Sequence, residues 1–136
     1  MLNTILAHNT VDPLGSLFCG SSLLRGPDCV GSVTSFGNNL IGDRTDCTIT
    51  LQPSDLTGDP GLDTFTDNGR PGHGHFPLLP TSQAIDAGND AACPQKDQLG
   101  QPRVNIPSVG TSRCDIGAIE FPPQNNHPST AAQATP

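Results

Sequence analysis

The chain has 136 residues, of which 33% are hydrophobic and 14% are charged, and its net charge is −7. This length fits one domain, and an acidic chain with six Lys and Arg residues lacks the basic surface that nucleic-acid binding requires. No hydrophobic run approaches the roughly 20 residues of a membrane-spanning helix, and residues 1–12 lack the charged start and apolar centre of a signal peptide.

The choice of acidic residues and chain breakers points to a β-rich chain. Of the 13 acidic residues all are Asp except Glu120, and Lys96 is the single Lys. Helix surfaces are usually filled with Glu and Lys, whereas Asp favours turns and caps. The 15 Gly and 14 Pro leave no run free of both that is longer than residues 1–12. We therefore expect an all-β or loop-dominated chain.

Short strand-like stretches follow one another along the chain. Residues 3–10 open it, and residues 38–42 echo their Asn-rich, then aliphatic pattern. Residues 47–51 alternate polar and apolar side chains, which predicts a half-buried strand. Residues 84–88 and 114–119 each combine a short apolar run with an Asp and a Gly, which predicts two short buried strands.

The centres of four of these stretches, Ile5, Leu40, Ile85 and Ile116, are 31 to 45 residues apart. Irregular recurrence of this kind favours a solenoid whose coils carry loops of different length. We therefore predict a parallel β-helix over residues 1–121. A β-sandwich is the alternative, because its strands recur at short spacing with turns between them. Residues 122–136 have almost no apolar side chains and are predicted to be a disordered linker.

The five cysteines contain no C-x-x-C pair and have no His at metal-ligand spacing. Two sequence-local disulfides are the natural pairing, Cys29 with Cys47 and Cys93 with Cys114. Closing loops of this length would contribute about 3 kcal/mol each. If both form, Cys19 is left over, either free or paired with a missing segment. The alternative is five buried or incidental thiols.

The order of motifs resembles one known family. The chain contains NTILAHNT, SFGNNLIGD, DPGLDTFTDNG, LLPTSQAIDAG, DQLGQPR and CDIGAIEF in succession. This succession is similar to the C-terminal part of choice-of-anchor Q domain proteins. The resemblance implies a bacterial surface or secreted protein with a right-handed parallel β-helix, of which residues 1–121 would be the terminal coils with a loop-rich C-terminal cap. It also implies missing N-terminal β-helix coils as a partner, and it carries no catalytic residue over to this chain. We expect no cofactor.

The carboxylates are the candidates for chemistry. Convergent Asp side chains could act as acid and base in glycosidic cleavage, and the candidates are Asp59, Asp63, Asp67, Asp86, Asp97 and Asp115. The alternative is structural, because Asp side chains accept hydrogen bonds from main-chain amides in turns. We predict a structural polar clamp made of Asp86, Asp97, Arg103 and Asp115, with Arg103 holding a carboxylate. Glu120 is expected to be a surface residue at a strand end.

Other catalytic and metal patterns are weak. His73 and His75 lie two positions apart without a third ligand nearby in sequence, so no metal site is predicted. There is no G-x-S-x-G motif. The expected function is a non-enzymatic extracellular or cell-surface β-helix module, the structural or adhesive terminal cap region of a larger secreted protein. A surface glycan or envelope component is expected as a further partner. The alternative is a polysaccharide lyase or glycoside hydrolase on the same scaffold. A glycan-binding adhesin would need exposed aromatic rings. Support for it is weak, because the chain has no Trp or Tyr and its five Phe lie mostly near apolar runs.

Overall fold

The computed structural model describes residues 1–9, 28–67, 69–106, 112 and 114–122. Within them lie a 3₁₀ helix, Asp90–Ala92, and five short strands: β1 (Ile5–Leu6), β2 (Val30–Thr34), β3 (Leu40–Ile41), β4 (Asp46–Thr50) and β5 (Leu56–Thr57). The strands form a three-stranded sheet in the order β1-β3-β5 and a two-stranded sheet in the order β2-β4. All strand pairings within the two sheets are parallel. Consecutive strands along the chain alternate between the two sheets, so each connection crosses from one sheet to the other.

The three-stranded sheet carries the apolar centre of the fold. Its register places Ile5 opposite Leu40, and Leu40 opposite Leu56. Both residues of the middle strand, Leu40 and Ile41, are 0% exposed. A parallel strand that is covered on both faces is expected to be apolar throughout, as this one is.

The two-stranded sheet lies closer to the surface. In β4, Cys47 and Ile49 are half-buried, while Asp46, Thr48 and Thr50 are exposed. This alternation confirms the half-buried strand predicted for residues 47–51. Its partner β2 is mostly exposed, and Val30 at its start is among the most exposed large hydrophobic residues.

Polar side chains just before the strands of the first sheet form a ladder. The amide of Thr4 donates to Asn39 Oδ1 at 3.1 Å, and the amide of Asn39 donates to Asp55 Oδ1 at 3.0 Å. Asn39 is completely buried, and its Nδ2 also donates to Asp55 and to Ser35 Oγ, both at 2.9 Å. Burial alone would raise the pKa of Asp55, but the hydrogen bonds that its carboxylate accepts outweigh burial and lower that pKa.

Two asparagines at equivalent positions attach the C-terminal half to this sheet. Asn3 and Asn38 both have a φ of 51°, a left-handed conformation that Asn tolerates better than most residues. Asn38 Nδ2 donates to the carbonyl of Ala87 at 3.0 Å. Asn3 exchanges two hydrogen bonds with the main chain of Asn89, at 2.7 and 3.2 Å. These contacts give the echo between residues 3–6 and 38–41 a structural cause.

Beyond β5 the described chain is mostly turns and bends, with isolated antiparallel bridges such as Leu62 with Leu78. It nevertheless supplies most of the core, because buried side chains from this region pack on the first sheet around Leu40: Leu78, Ala84, Ile85, Ile116 and Phe121. Among the residues that the structure describes, no helix has the length and apolar character needed to cross a bilayer.

Both predicted disulfides are confirmed. Cys29 is joined to Cys47, which ties the start of β2 to β4, and Cys93 is joined to Cys114. The second bridge links the end of the 3₁₀ helix to the segment that contains the buried Ile116. Cys19 lies outside the described residues.

The prediction of a right-handed parallel β-helix is wrong. The two described sheets are parallel, but they hold five short strands and do not close into a solenoid. The second sheet ends at β4, and Pro60 and Gly61 follow shortly after β5, where Pro has no amide to donate to a further strand. A β-sandwich does not fit either, because it consists of antiparallel sheets.

The two buried strands predicted at residues 84–88 and 114–119 are also not formed, although Ala84, Ile85 and Ile116 are buried. These stretches are turns and bends whose amides find acceptors outside a sheet. Of the predicted linker at residues 122–136, all but Pro122 lies outside the described residues.

We expect Asn39→Ala to lower the free energy of unfolding by about 2–3 kcal/mol, because the amide of Thr4 and the polar groups around Asn39 lose buried hydrogen-bond partners. Urea denaturation measures the change. Gln52→Ala at an exposed position is the control and should stay within about 0.5 kcal/mol of the parent. Equal stability of both variants would show that the ladder contributes little.

Candidate functional site

A buried ion pair lies at the centre of the C-terminal half. Arg103 Nη1 is 2.8 Å from Glu120 Oε2, and the two side chains are only 6% and 3% exposed. The guanidinium also donates to the carbonyls of Asp115 at 3.3 Å and Gly117 at 2.8 Å. One arginine thus binds both the side chain and the main chain of the same loop.

The carboxylates around this pair accept main-chain amides from three separate segments. Asp115 accepts from the amide of Asp86 at 2.7 Å and from that of Phe121 at 2.5 Å. Glu120 accepts from the amide of Val104 at 3.0 Å and from that of Asp115 at 3.3 Å. Each carboxylate therefore joins stretches of chain that share no strand.

Two further aspartates extend this arrangement. Asp97 Oδ1 accepts the amides of Leu99 and Gln101 at 2.8 Å, and its Oδ2 accepts that of Glu120 at 3.1 Å. Asp86 Oδ2 accepts the amide of Ile106 at 2.8 Å. We call the five side chains together the carboxylate clamp: Asp86, Asp97, Arg103, Asp115 and Glu120.

Burial raises the pKa of two clamp members. For Asp115 the main cause is desolvation, and the neighbouring charge of Asp86 adds to it, although the hydrogen bonds from amides and the charge of Arg103 oppose the rise. For Glu120 desolvation is again the main cause, and the charge of Asp115 adds to it. Both carboxyls are therefore protonated more readily in the folded chain than in the unfolded chain.

The clamp also brings three acidic groups to one place. One ligand-type oxygen each of Asp86, Asp115 and Glu120 lies within 4.8 Å of the others, and all three residues are buried. Oxygen clusters of this kind can hold a hard cation. Here the adjacent positive charge is the guanidinium of Arg103, and oxygens of all three residues accept amides of the fold itself.

The four residues of the predicted clamp do lie in one neighbourhood, but they are joined differently from the prediction. Arg103 donates through Nη1 to the carboxylate of Glu120. Its contact with Asp115 is to the main-chain carbonyl of that residue. The expectation that Glu120 is a surface residue is wrong, because it is buried. The available signal was its place between Ile119 and Phe121 in an apolar run.

The remaining sequence candidates lie apart from the clamp. Asp59, Asp63 and Asp67 are exposed, and each accepts a hydrogen bond from an amide one or two residues further along the chain. His75 Nδ1 contacts the carbonyl of His73 at 2.7 Å. The acidic group just described contains no histidine.

Comparison of the chain with protein-family models, with curated proteins and with solved structures finds no match.

Replacing Arg103 tests the ion pair. We expect Arg103→Met to lower the free energy of unfolding by about 3–5 kcal/mol, because it leaves the charge of Glu120 buried without its partner. A second change, Glu120→Gln, should restore part of the loss by removing that charge. The control is Arg44→Met at an exposed arginine. If both arginine variants unfold alike, the ion pair does not hold the fold together.

The raised pKa values of Asp115 and Glu120 predict a pH dependence. Both groups bind protons more tightly when folded, so their contribution to stability falls as pH rises above the ordinary values of 3.8 and 4.5 through the raised folded values. The lowered pKa of Asp55 acts in the opposite direction and only at lower pH.

We therefore expect the free energy of unfolding to be greater at pH 4.5, the ordinary value of Glu120, than at pH 7.5, measured by urea denaturation at constant ionic strength. Glu120→Gln should flatten this slope, whatever its effect on absolute stability. An unchanged slope in that variant would contradict the assignment.

Proposed function

We propose that this chain is a non-enzymatic structural module of a secreted or cell-surface protein. The observation that carries the proposal is that the buried carboxylates accept main-chain amides of the chain's own loops. Acid groups used in this way stabilise a fold without regular secondary structure, and they are not directed at a substrate.

The two disulfides support an oxidising location. Cys29–Cys47 and Cys93–Cys114 both close loops within the described chain, and such bridges persist outside the cell rather than in reducing compartments. The acidic composition, with a single Lys, is consistent with that location. The resemblance to choice-of-anchor Q domain proteins in the motif order points to the same cellular address.

A glycan is the partner class that the surface suits best. Phe36, Phe65 and Phe76 are exposed, and the rings of Phe65 and Phe76 meet edge to face with centroids 5.3 Å apart. A glycan-binding adhesin requires exposed aromatic rings. The sequence alone lends this interpretation little support, because the chain has no Trp or Tyr. A structural module that also contacts a surface glycan or envelope component accommodates this feature.

The second candidate is a polysaccharide lyase or glycoside hydrolase. The convergence of Asp86, Asp115 and Glu120 within 4.8 Å favours it, since glycoside hydrolysis uses paired carboxylates. Against it, an acid and a base must flank a substrate in a cleft, whereas these three groups are buried. The structural interpretation therefore has the stronger support.

Substitution of Asp86 separates the two candidates. We expect Asp86→Ala to lower the free energy of unfolding by about 1–3 kcal/mol, because the amide of Ile106 loses its acceptor. Asp86→Asn should lose less, since Asn keeps an acceptor oxygen and tolerates the φ of 50° at this position. Thermal unfolding of both variants measures the effect.

A screen of the parent chain for polysaccharide cleavage completes the test, and we expect no turnover. Cleavage by the parent that disappears in a fully stable Asp86→Asn variant would establish the enzyme instead. Antibody labelling of intact source cells and their medium tests the location. Labelling only after permeabilisation would contradict a secreted or surface role.

A further inference from the structure

Strand β1 has an outer edge with a defined hydrogen-bonding pattern. The amide of Leu40 donates to the carbonyl of Thr4 at 2.9 Å, and the amide of Gly42 donates to that of Leu6 at 3.0 Å. Main-chain groups alternate in direction along a strand, so the amide and carbonyl of Ile5 and the amide of Ala7 face away from β3. Among the described strands, β1 pairs with β3 alone, so neither amide has a strand partner on that side.

The next pairing in the sheet repeats this geometry. The amide of Leu56 donates to the carbonyl of Asn39 at 2.7 Å, and that of Gly58 donates to Ile41 at 3.0 Å. Each strand thus donates two amides, two residues apart, to the strand before it in the sheet. In β1 the equivalent donors are Ile5 and Ala7.

The side-chain ladder continues in the same direction. Asp55 accepts the amide of Asn39, and Asn39 accepts the amide of Thr4. Thr4 occupies the next position of the ladder. Its hydroxyl donates to the carbonyl of Leu2 at 3.0 Å, which leaves the lone pairs of Oγ1 able to accept an amide.

An apolar cavity lies beside the same strand. It has a volume of about 500 Å³ and is lined by Ile5 of β1 and its chain neighbours Thr4 and Ala7. Side chains from the C-terminal half complete the lining, among them Leu62, Phe76, Leu78, Ile116 and Ile119. Residues of β3 and β5 do not contribute to this lining. The volume falls in the range of sites that bind ligands, and it is sufficient for a large aliphatic side chain.

We propose that the outer edge of β1 is a docking site for an extended strand of another polypeptide. The partner strand lies parallel to β1, accepts the amides of Ile5 and Ala7, and donates to the carbonyl of Ile5 and to Thr4 Oγ1. Its aliphatic side chain fills the cavity. This continues the pairing that already joins β1, β3 and β5, which is the usual route by which sheet edges recognise extended segments.

The chemistry of the partner follows from the strands it would imitate. The stretches 38–42 (NNLIG) and 54–58 (SDLTG) follow the same pattern. Two polar residues come first, then Leu, then one variable residue, and then Gly. A neutral or basic segment with this pattern fits best, because the chain carries a net charge of −7. The same charge opposes docking of a second copy. This site is separate from the carboxylate clamp, and the proposal does not depend on the function assigned above.

The probe is a synthetic peptide with the sequence of residues 35–42 and blocked ends, added to the full chain. We expect saturable binding that protects the amides of Ile5 and Ala7 from hydrogen exchange in NMR spectra. Two N-methylated peptides are the matched pair. A peptide that docks on β1 as β3 docks on β5 turns the amide of Ile41 toward β1 and that of Leu40 away from it. Methylation at the position of Ile41 should therefore weaken binding at least about tenfold, whereas methylation at the position of Leu40 should not.

Variants of the chain test the other two contacts. Thr4→Val keeps the shape but removes the acceptor, so affinity should fall about fivefold, the effect of one hydrogen bond. Ala118→Trp, at the exposed margin of the cavity, should block binding, while Ala91→Trp on the exposed 3₁₀ helix should not. Absence of peptide binding, equal loss for both methylated peptides, or unchanged binding by Ala118→Trp would overturn the proposal. Concentration-dependent self-association that Ala118→Trp abolishes would also overturn it, in favour of a second copy.

Discussion

Buried main-chain amides need hydrogen-bond acceptors, and beyond β5 the described chain has few strands or helices to supply them. This constraint explains why buried acids are concentrated in the C-terminal half. Asp97, Asp115 and Glu120 take the place of a neighbouring strand, because each carboxylate accepts two or more amides. Arg103 compensates part of the negative charge that this solution buries. The apolar core of Leu78, Ala84, Ile85, Ile116 and Phe121 can then pack on the first sheet without regular secondary structure of its own.

The same principle operates where the chain enters its parallel sheet. Asn39 and Asp55 accept the amides that precede β1 and β3, so side chains again complete a main-chain pattern that the strands leave unfinished. The short side chain of Asp suits this task, because its carboxylate stays close to the main chain of its neighbours. The predominance of Asp over Glu in the composition is therefore a property of the fold. The outer edge of β1 extends the ladder by one further position at Thr4.

The sequence was informative wherever the determining contacts are local. The half-buried alternation of β4, the two short-range disulfides and the burial of Ile85 and Ile116 were all predicted from neighbouring residues. The strand assignment for the segments around Ile85 and Ile116 failed, because periodicity reports burial and does not reveal whether an amide is met by a strand or by a carboxylate. Glu120 was missed for the same reason, since its partner Arg103 is close in space through a loop that no pattern encodes. The closed solenoid was overpredicted, because recurring apolar centres do not specify that every recurrence forms a strand.

The central claim is that carboxylates hold the C-terminal half as firmly as a sheet would. Native-state hydrogen exchange of the amides of Asp86, Val104, Glu120 and Phe121 tests it most directly, because these four amides donate to clamp carboxylates. We predict that they exchange only through global unfolding, with the same free energy as the amides of β3. Exchange at the rate of exposed loops, while β3 stays protected, would contradict it.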